Sequence, residues 1–502
     1  MARRSQRKKR TANAIRQLPW QALINPLPPI RILSDDQVDT IIATSKELLA
    51  TQGMRFLDDD ARQRLARAGA DVDDAAKTVR FDPAMVAEYI DHAPPTFELR
   101  ARNPEHDLTF GENHIVFSSV GGPAFVSDLD NGRRPGTYDD MCDFFRVAQS
   151  LNIIHQEGGS PFEAMDLPAE TRHLDLYLAQ ARYLDKNCQA YALGRERTVD
   201  AIEMACITLG CDRETLAKRP AILAIINTNS PMLFDVPMAE AVVELAEAHQ
   251  VACITPFTLA GSMSPATLAG TLMQQTAEVL AVATLSQVVS PGCPIMYGSF
   301  ASNVDMQSGA PALGTPEYTK AAQASGQIAR RLGLPFRSSN TTVSNCVDAQ
   351  SAFESEMSLW GSVMGHANLV NHAAGWLEGG LTASFEKLIV DAEMLQMIAE
   401  YLRPIEVNDD EMALDAIAEV GPGGHHFGTG HTLERYESAF YQPILSVRQN
   451  FEAWNEAGRI DTAARANSIW KQLLAEYEQP PLDPGIDEAL VDYVERRKRE
   501  LQ

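Results

Sequence analysis

The chain holds no apolar run near the roughly 18 residues that a membrane span needs, so an integral membrane protein is excluded. It also lacks a G-x-x-x-x-G-K-S/T phosphate loop, a G-x-S-x-G nucleophile elbow and an H-E-x-x-H zinc helix. Nucleotide-driven and acyl-transfer reactions lose their usual carriers. The cysteines, at 142, 188, 206, 211, 253, 293 and 346, are odd in number and scattered, with no C-x-x-C pair; neither a disulfide framework nor a zinc knuckle is expected. Positive charge is scarce: 43 Lys and Arg stand against 67 Asp and Glu, for a formal charge of −24. That balance opposes nucleic-acid binding over most of the surface and favours a cationic small molecule. The exception is Met1 to Arg10 (MARRSQRKKR), read as a solvated basic tail. No apolar segment follows Arg3 and Arg4 as an export signal requires, and a cytoplasmic location is expected.

What the chain does contain is a repeated pattern. Short apolar runs end in small polar residues at Val251 to Phe257, Pro294 to Phe300, Pro335 to Asn340 and Ala367 to Ala374, and a long amphipathic stretch usually follows. Earlier runs at Ile115 to Ser118, Asn152 to Glu157, Gln189 to Leu193 and Ala221 to Asn227 bring the expected strands to eight. Helical spacing marks the intervening segments from Asp139 to Ser150 through Gln350 to Met364, and one more helix ends at Pro404. This alternation predicts an α/β fold, a TIM (β/α)8 barrel with N-terminal helical and β-rich additions and a C-terminal helical extension.

The boundaries follow from changes of pattern. Residues 1–30 read as a basic disordered tail and 31–112 as a helical region opened by a Ser34–Gln37 capping box. Residues 113–403 read as the barrel, with a hairpin turning at Asn131-Gly132 near its start. Residues 404–502 carry a Gly/His loop and a helical extension interrupted by Pro480, Pro481 and Pro484.

In such folds the C-terminal ends of strands line the active site. Glu157, Asn227, Thr255, Phe257, Tyr297, Ser299, Ser338, Asn340 and His372 are therefore expected as pocket walls, with Phe353 and Trp376 as aromatic faces. Only Glu157 among them is a carboxylic acid, so the set suits binding and positioning better than acid–base work, and no catalytic side chain is assigned. Aromatic faces attract quaternary ammonium groups by about 0.5 to 2 kcal/mol each. His425, His426 and His431 lie in GPGGHHFGTGH, Gly421 to His431; adjacent histidines diverge and no Cys or carboxylate sits at ligand spacing, so no metal is expected.

Two stretches carry a family resemblance: GTPEYTKAAQASGQIARRLGLPFRSSNTTVSNCVDAQSAFESEMSLWGSVMGHANLVNHAAGWLEGGLTASFEKLIVDAEM from Gly314 to Met394, and GPGGHHFGTGHTLERYESAFYQPIL from Gly421 to Leu445. The chain resembles the trimethylamine methyltransferase family of corrinoid-dependent enzymes from about residue 30 onward. The resemblance implies methyl transfer from an N-methylated amine to the cob(I)alamin of a separate corrinoid-binding protein, with no tightly held cofactor here. His425, His426 and His431 are expected at the barrel mouth, in reach of the corrinoid or its carrier. The founding trimethylamine enzymes place a pyrrolysine in the loop corresponding to Ser338 to Asp348; here that loop is SSNTTVSNCVD, all standard residues. The chain thus looks like the non-pyrrolysine branch, whose donors are quaternary amines such as glycine betaine, and a homo-oligomer is expected. The alternatives are a trimethylamine-type enzyme working without pyrrolysine, a methylated-amine enzyme using another acceptor, and a non-catalytic quaternary-amine binding or regulatory protein.

Overall fold

The computed structural model describes residues 15–501. Eight strands, β1 (His114–Ser119), β2 (Gln156–Glu157), β3 (Asn187–Ala190), β4 (Leu223–Ile226), β5 (Val251–Ile254), β6 (Ile295–Gly298), β7 (Phe336–Ser339) and β8 (Leu369–Ala374), pair in parallel in chain order. The cylinder closes where β8 pairs with β1, Leu369 opposite Val116 and Val370 opposite Phe117. Each strand is followed by a barrel helix: α1 (Tyr138–Ser150), α2 (Arg172–Tyr183), α3 (Arg195–Leu209), α4 (Val236–Glu247), α5 (Leu268–Val289), α6 (Pro316–Arg331), α7 (Ala349–Met364) and α8 (Phe385–Tyr401). The (β/α)8 barrel expected from the repeat is the architecture observed.

The strands read as short apolar runs because both of their faces are covered. Inside the cylinder Val116, Leu223, Val251, Cys253, Met296 and Leu369 form a closed apolar layer. Its lower end is plugged by an antiparallel hairpin, Phe97–Leu99 with Leu108–Phe110, whose Leu99, Leu108 and Phe110 join the same cluster. Several of the small polar residues after the strands are helix caps. Thr137 and Asp348 form capping boxes, and Asp235, Thr267, Thr315 and Ser384 each accept a backbone N–H from the first turn of the helix that follows.

Outside the barrel, α5 is buried along almost its whole length because the helices Asp35–Thr51 and Pro83–Ile90 pack over it. Ser34 caps the first of these with the expected Gln37 box. Part of the expected tail is structured. Leu23–Ile24 adds an antiparallel strand to β1, Leu23 opposite Ile115, and Asn25 is fully buried with its amide on the Val363 carbonyl, because this stretch supplies partners for the start of β1, below its pairing with β2, and for the end of α7. Met1 to Ala14, the basic end of that expectation, lie outside the described residues. At the other terminus the helix Pro484–Leu501 is tied to α2 and α3: Tyr493 Oη and Arg497 Nε both donate to Asp200 at 2.7 Å, and Arg182 pairs with Asp487. No helix among the described residues is long and apolar enough to cross a membrane.

Among the described residues one lysine–carboxylate pair is wholly inside. Lys387 and Asp391, a turn apart on α8, pair with no solvent exposure; Lys387 Nζ also donates to Ser355 Oγ on α7 at 2.7 Å, and Asp391 accepts the Gly375 N–H at 2.9 Å. The pair fastens α8 to α7 and to the loop leaving β8. Replacing Lys387 by Met strands a buried carboxylate, and urea unfolding is expected to show a loss of about 3 to 5 kcal/mol. Lys387→Met with Asp391→Leu should recover most of it; a single variant as stable as the parent would remove the pair from this role.

Candidate functional site

Above the apolar layer the inward side chains change character. Gln189 Nε2 donates to Gln156 Oε1 and Asn371 Oδ1, both at 2.9 Å, and lies 3.2 Å from Ser118 Oγ, while Gln156 Nε2 donates to Asn187 at 2.7 Å. Amides saturate one another without adding net charge, so strands β1, β2, β3 and β8 share a polar but neutral floor.

On this floor stands Arg337. The β7 register sets it beside Gly298, facing inward, with 1% of its surface exposed. Its Nη1 donates to the Ser299 carbonyl at 3.2 Å, its guanidinium lies 5.4 Å from the Phe300 ring centre, and its Nε has no partner. No carboxylate pairs with it among the described residues. Burial lowers its pKa, though a guanidinium stays charged, and an unpaired buried cation of this kind calls for an anion from outside.

Beside the guanidinium the cavity is aromatic. Phe300 lies 5.1 Å from Phe257, 5.9 Å from Trp376 and 6.5 Å from His372, and the His372 and Trp376 rings are 4.5 Å apart. Trp376 is anchored by its Nε1–H on the Thr342 carbonyl at 3.2 Å. His372 sits at φ +52° and accepts the Gly121 N–H on Nδ1 at 3.2 Å. Burial first, and then Arg337, push its pKa well below the ordinary value, so the ring is neutral and does not repel a cation. The cavity measures about 390 Å³ and opens between glycines 121, 122, 158, 159, 379 and 380. A Cβ on Gly380 would strike the Trp376 ring at 2.5 Å, so glycine there lets the loop lie flat on the indole. A four-stranded sheet at the mouth, Phe125–Asp128 and Gly132–Pro135 with Trp376–Leu377 and Thr382–Ser384, holds that loop in place.

Of the residues expected from strand ends, Asn227, Thr255, Phe257, His372 and Trp376 line the cavity. Tyr297, Ser299 and Ser338 do not, because side chains alternate along a strand and theirs face the helices. Tyr297 Oη pairs with Thr276 and Gln275, Ser299 donates to Gln275 at 3.0 Å, and Ser338 accepts from Ser362 at 2.8 Å. Asn340 lies within the wall, its amide N–H on the Ala373 carbonyl and its Oδ1 without a partner. Glu157 lies beneath the Gly158–Gly159 turn, accepting from Gln180 at 2.6 Å and from Gly159 N–H; burial raises its pKa well above the carboxylate range. Phe353 is on the outer face of α7, 62% exposed. His425 and His426 are exposed and His431 is half-buried, on a segment that leaves α8 at its lower end, and none of the three lines the cavity. Arg337, Phe300, Gln189 and Asn371 were missing from the expected set. An arginine inside the apolar run PFRSSN was the available signal, since a charge in a strand covered on both faces needs a reason.

The trimethylamine methyltransferase (MTTB) family matches residues 1–502. The chain is 36% identical over 476 residues to the glycine betaine methyltransferase of Desulfitobacterium hafniense strain Y51, spanning 95% of this chain and 98% of that protein. It is 26% identical over 478 residues to the trimethylamine methyltransferase MttB of Desulfitobacterium hafniense strain DSM 10664 / DCB-2, spanning 93% and 94%. Among solved structures, the Methanosarcina barkeri monomethylamine methyltransferase (MtmB) aligns with a TM-score of 0.52 at 10% identity over 90% of each chain, a likeness of fold alone.

Histidines held neutral in and below the cavity make the fold acid-sensitive. His372 is held neutral in the cavity, and His155, buried below it, has its pKa pushed down to about 3 by burial and by Lys186. In the unfolded chain each takes up a proton near pH 6.5, so their contribution is complete above that value and is lost as pH falls below it. Between pH 7.5 and 5.5 each is expected to remove about 1.4 kcal/mol of unfolding free energy. His372→Gln should flatten that acid-side decline by about the same amount in urea titrations; an unchanged slope would mean that His372 is protonated in the fold.

Proposed function

The chain belongs to the trimethylamine methyltransferase family, and on that premise we propose that it moves a methyl group from a carboxylate-bearing quaternary amine, of the glycine betaine type, to a corrinoid carried by a separate protein. Arg337 carries the reading. A buried guanidinium without a carboxylate partner disfavours a ligand that is only a cation, such as trimethylammonium or choline, and favours a zwitterion whose carboxylate supplies the missing charge. The ammonium then lies against Phe257, Phe300 and Trp376, where ring faces attract it.

The cavity suits a donor that needs no proton. A quaternary nitrogen departs as a neutral tertiary amine, keeping the electron pair of the broken C–N bond, and neither a carboxylic acid nor a protonated histidine lines the chamber. No residue from 338 to 348, the loop that corresponds to the one where the founding trimethylamine enzymes place pyrrolysine, lines it either; Thr342 and Val343 are tied instead to Glu354 on α7. The mouth fits a broad planar acceptor. Its rim is glycine backbone, and a Cβ at Gly122 would meet nothing within 4 Å. A reduced corrinoid brought by its carrier would supply the nucleophile that receives the methyl carbon. The protein's own work is to bind the zwitterion at Arg337, turn an N-methyl toward the rim and exclude water, which is where effective-molarity gains arise.

Seven free cysteines among the described residues fit a reducing cytoplasm, where we place the protein, and we take the working assembly to contain more than one copy of the chain.

Mixed with cob(I)alamin and glycine betaine, the protein is expected to release one dimethylglycine per methyl group transferred. Arg337→Gln should lower kcat/KM by about 100-fold or more, as loss of one partner of a buried charge pair does, while Arg337→Lys keeps part of the rate. Preference for trimethylamine or choline would overturn the substrate class. Binding without turnover, even with reduced corrinoid protein, would support a non-catalytic amine-binding protein instead.

A further inference from the structure

Between Arg403 and Ile460 only Ala416, Thr429 and Leu445 are buried. The rest of this arm is short helices and turns that present large apolar side chains to solvent: Ile405 is 91% exposed, Phe427 83%, Phe440 77% and Leu414 72%. Together with its other exposed apolar residues, the arm displays on the order of 1,000 Å² of such surface, given about 150 to 250 Å² for each aromatic side chain. A typical monomer's largest apolar patch is about 300 to 600 Å², and a stable interface takes about 800 Å² from each partner. The arm is therefore sized for a partner rather than for solvent.

The same chain offers a receiving surface. Phe353 and Met357 on α7, and Met397 and Tyr401 on α8, are 62%, 41%, 48% and 56% exposed, and Tyr401 packs edge-on to Trp360 at 4.9 Å. These residues form an apolar flank along the last two barrel helices, and the chain's own arm leaves it uncovered. Barrel helices run antiparallel to the strands, so α8 begins at the mouth and ends at Tyr401 on the opposite side, where the arm departs. A carrier that presents its corrin ring to the mouth approaches the end where α7 and α8 begin, away from Met397, Tyr401 and the root of the arm. The occupant that matches an arm and a flank on one chain is a second copy.

We infer that the arm of one copy clasps the α7–α8 flank of another and receives that copy's arm in return, forming a two-fold, self-complementary dimer. Such a contact is isologous: each subunit gives and takes the same surfaces, so it closes on itself and does not propagate into a fibre. The Gly421 to His431 segment, which does not line the barrel cavity of its own subunit, is carried on this arm and is enclosed in the contact through Phe427.

Sedimentation of the full chain at about 10 µM should give twice the chain mass or an even multiple of it, with the dimer constant well below that concentration. Two variants divide the interface: Phe427→Asp with Phe440→Asp on the arm, and Phe353→Asp with Met357→Asp on the flank. All four positions are exposed, so each variant should unfold like the parent while its dimer constant rises about 100-fold or more. Mixed together, the arm variant and the flank variant retain one intact clasp and should form heterodimers that neither forms alone. A monomeric parent, variants with unchanged mass, or a mixture that fails to associate would overturn the proposal. So would variants that lose only their affinity for the corrinoid protein.

Discussion

A guanidinium set inside a barrel without a counterion is the constraint to which the rest of the chamber answers. Burying Arg337 costs several kcal/mol, and the protein offsets only part of that with one carbonyl and one ring face. Its surroundings avoid supplying an anion. The floor is built from Gln156, Gln189 and Asn371, groups that satisfy one another without charge, and the His372 ring of the same chamber is neutral. A protein with a formal charge of −24 thus encloses a small positive chamber. A simple cation is drawn to the surface and resisted within; a simple anion meets the reverse; a compact zwitterion is accepted at both stages.

The chamber keeps its shape through attachments behind its walls. Trp376 hangs from the Thr342 carbonyl, the loop beyond β7 is stitched to Glu354 on α7, and the Lys387–Asp391 pair binds the β8 exit to the same two helices. The aromatic faces are placed by side chains that the ligand never meets. This is the usual requirement for accurate positioning, because a wall that shifts by an ångström forfeits most of its orienting power.

The repeat of short apolar run and amphipathic helix was enough to read the barrel, because a parallel strand covered on both faces and a helix covered on one leave distinct periodicities. The hairpin at Asn131-Gly132 was legible for the same reason. The chamber was legible only in part. Small polar residues at strand ends serve three purposes here: lining the cavity, as Thr255 does; capping the next helix, as Asp348 does; and pairing helices behind the sheet, as Ser299 and Ser338 do. Composition does not separate these, whereas the two-residue alternation does: with Met296 packed inside the barrel, Tyr297 must point out. Arg337 could have been found by asking why a charge interrupts an apolar strand. The amide floor could not, since Gln189 and Asn371 meet only when the cylinder is closed.

The hairpin that plugs the lower end gives the chamber a single doorway. Leu99, Leu108 and Phe110 pack into the apolar layer below the amide floor, so the open side of the chamber is the glycine rim. A small donor and a bulky acceptor sharing one opening cannot arrive independently. On the proposed reaction the donor would have to be seated before the acceptor docks, and the demethylated amine would stay confined until that acceptor withdrew. For that reaction the topology would set a compulsory order of turnover, with the acceptor as both reagent and stopper.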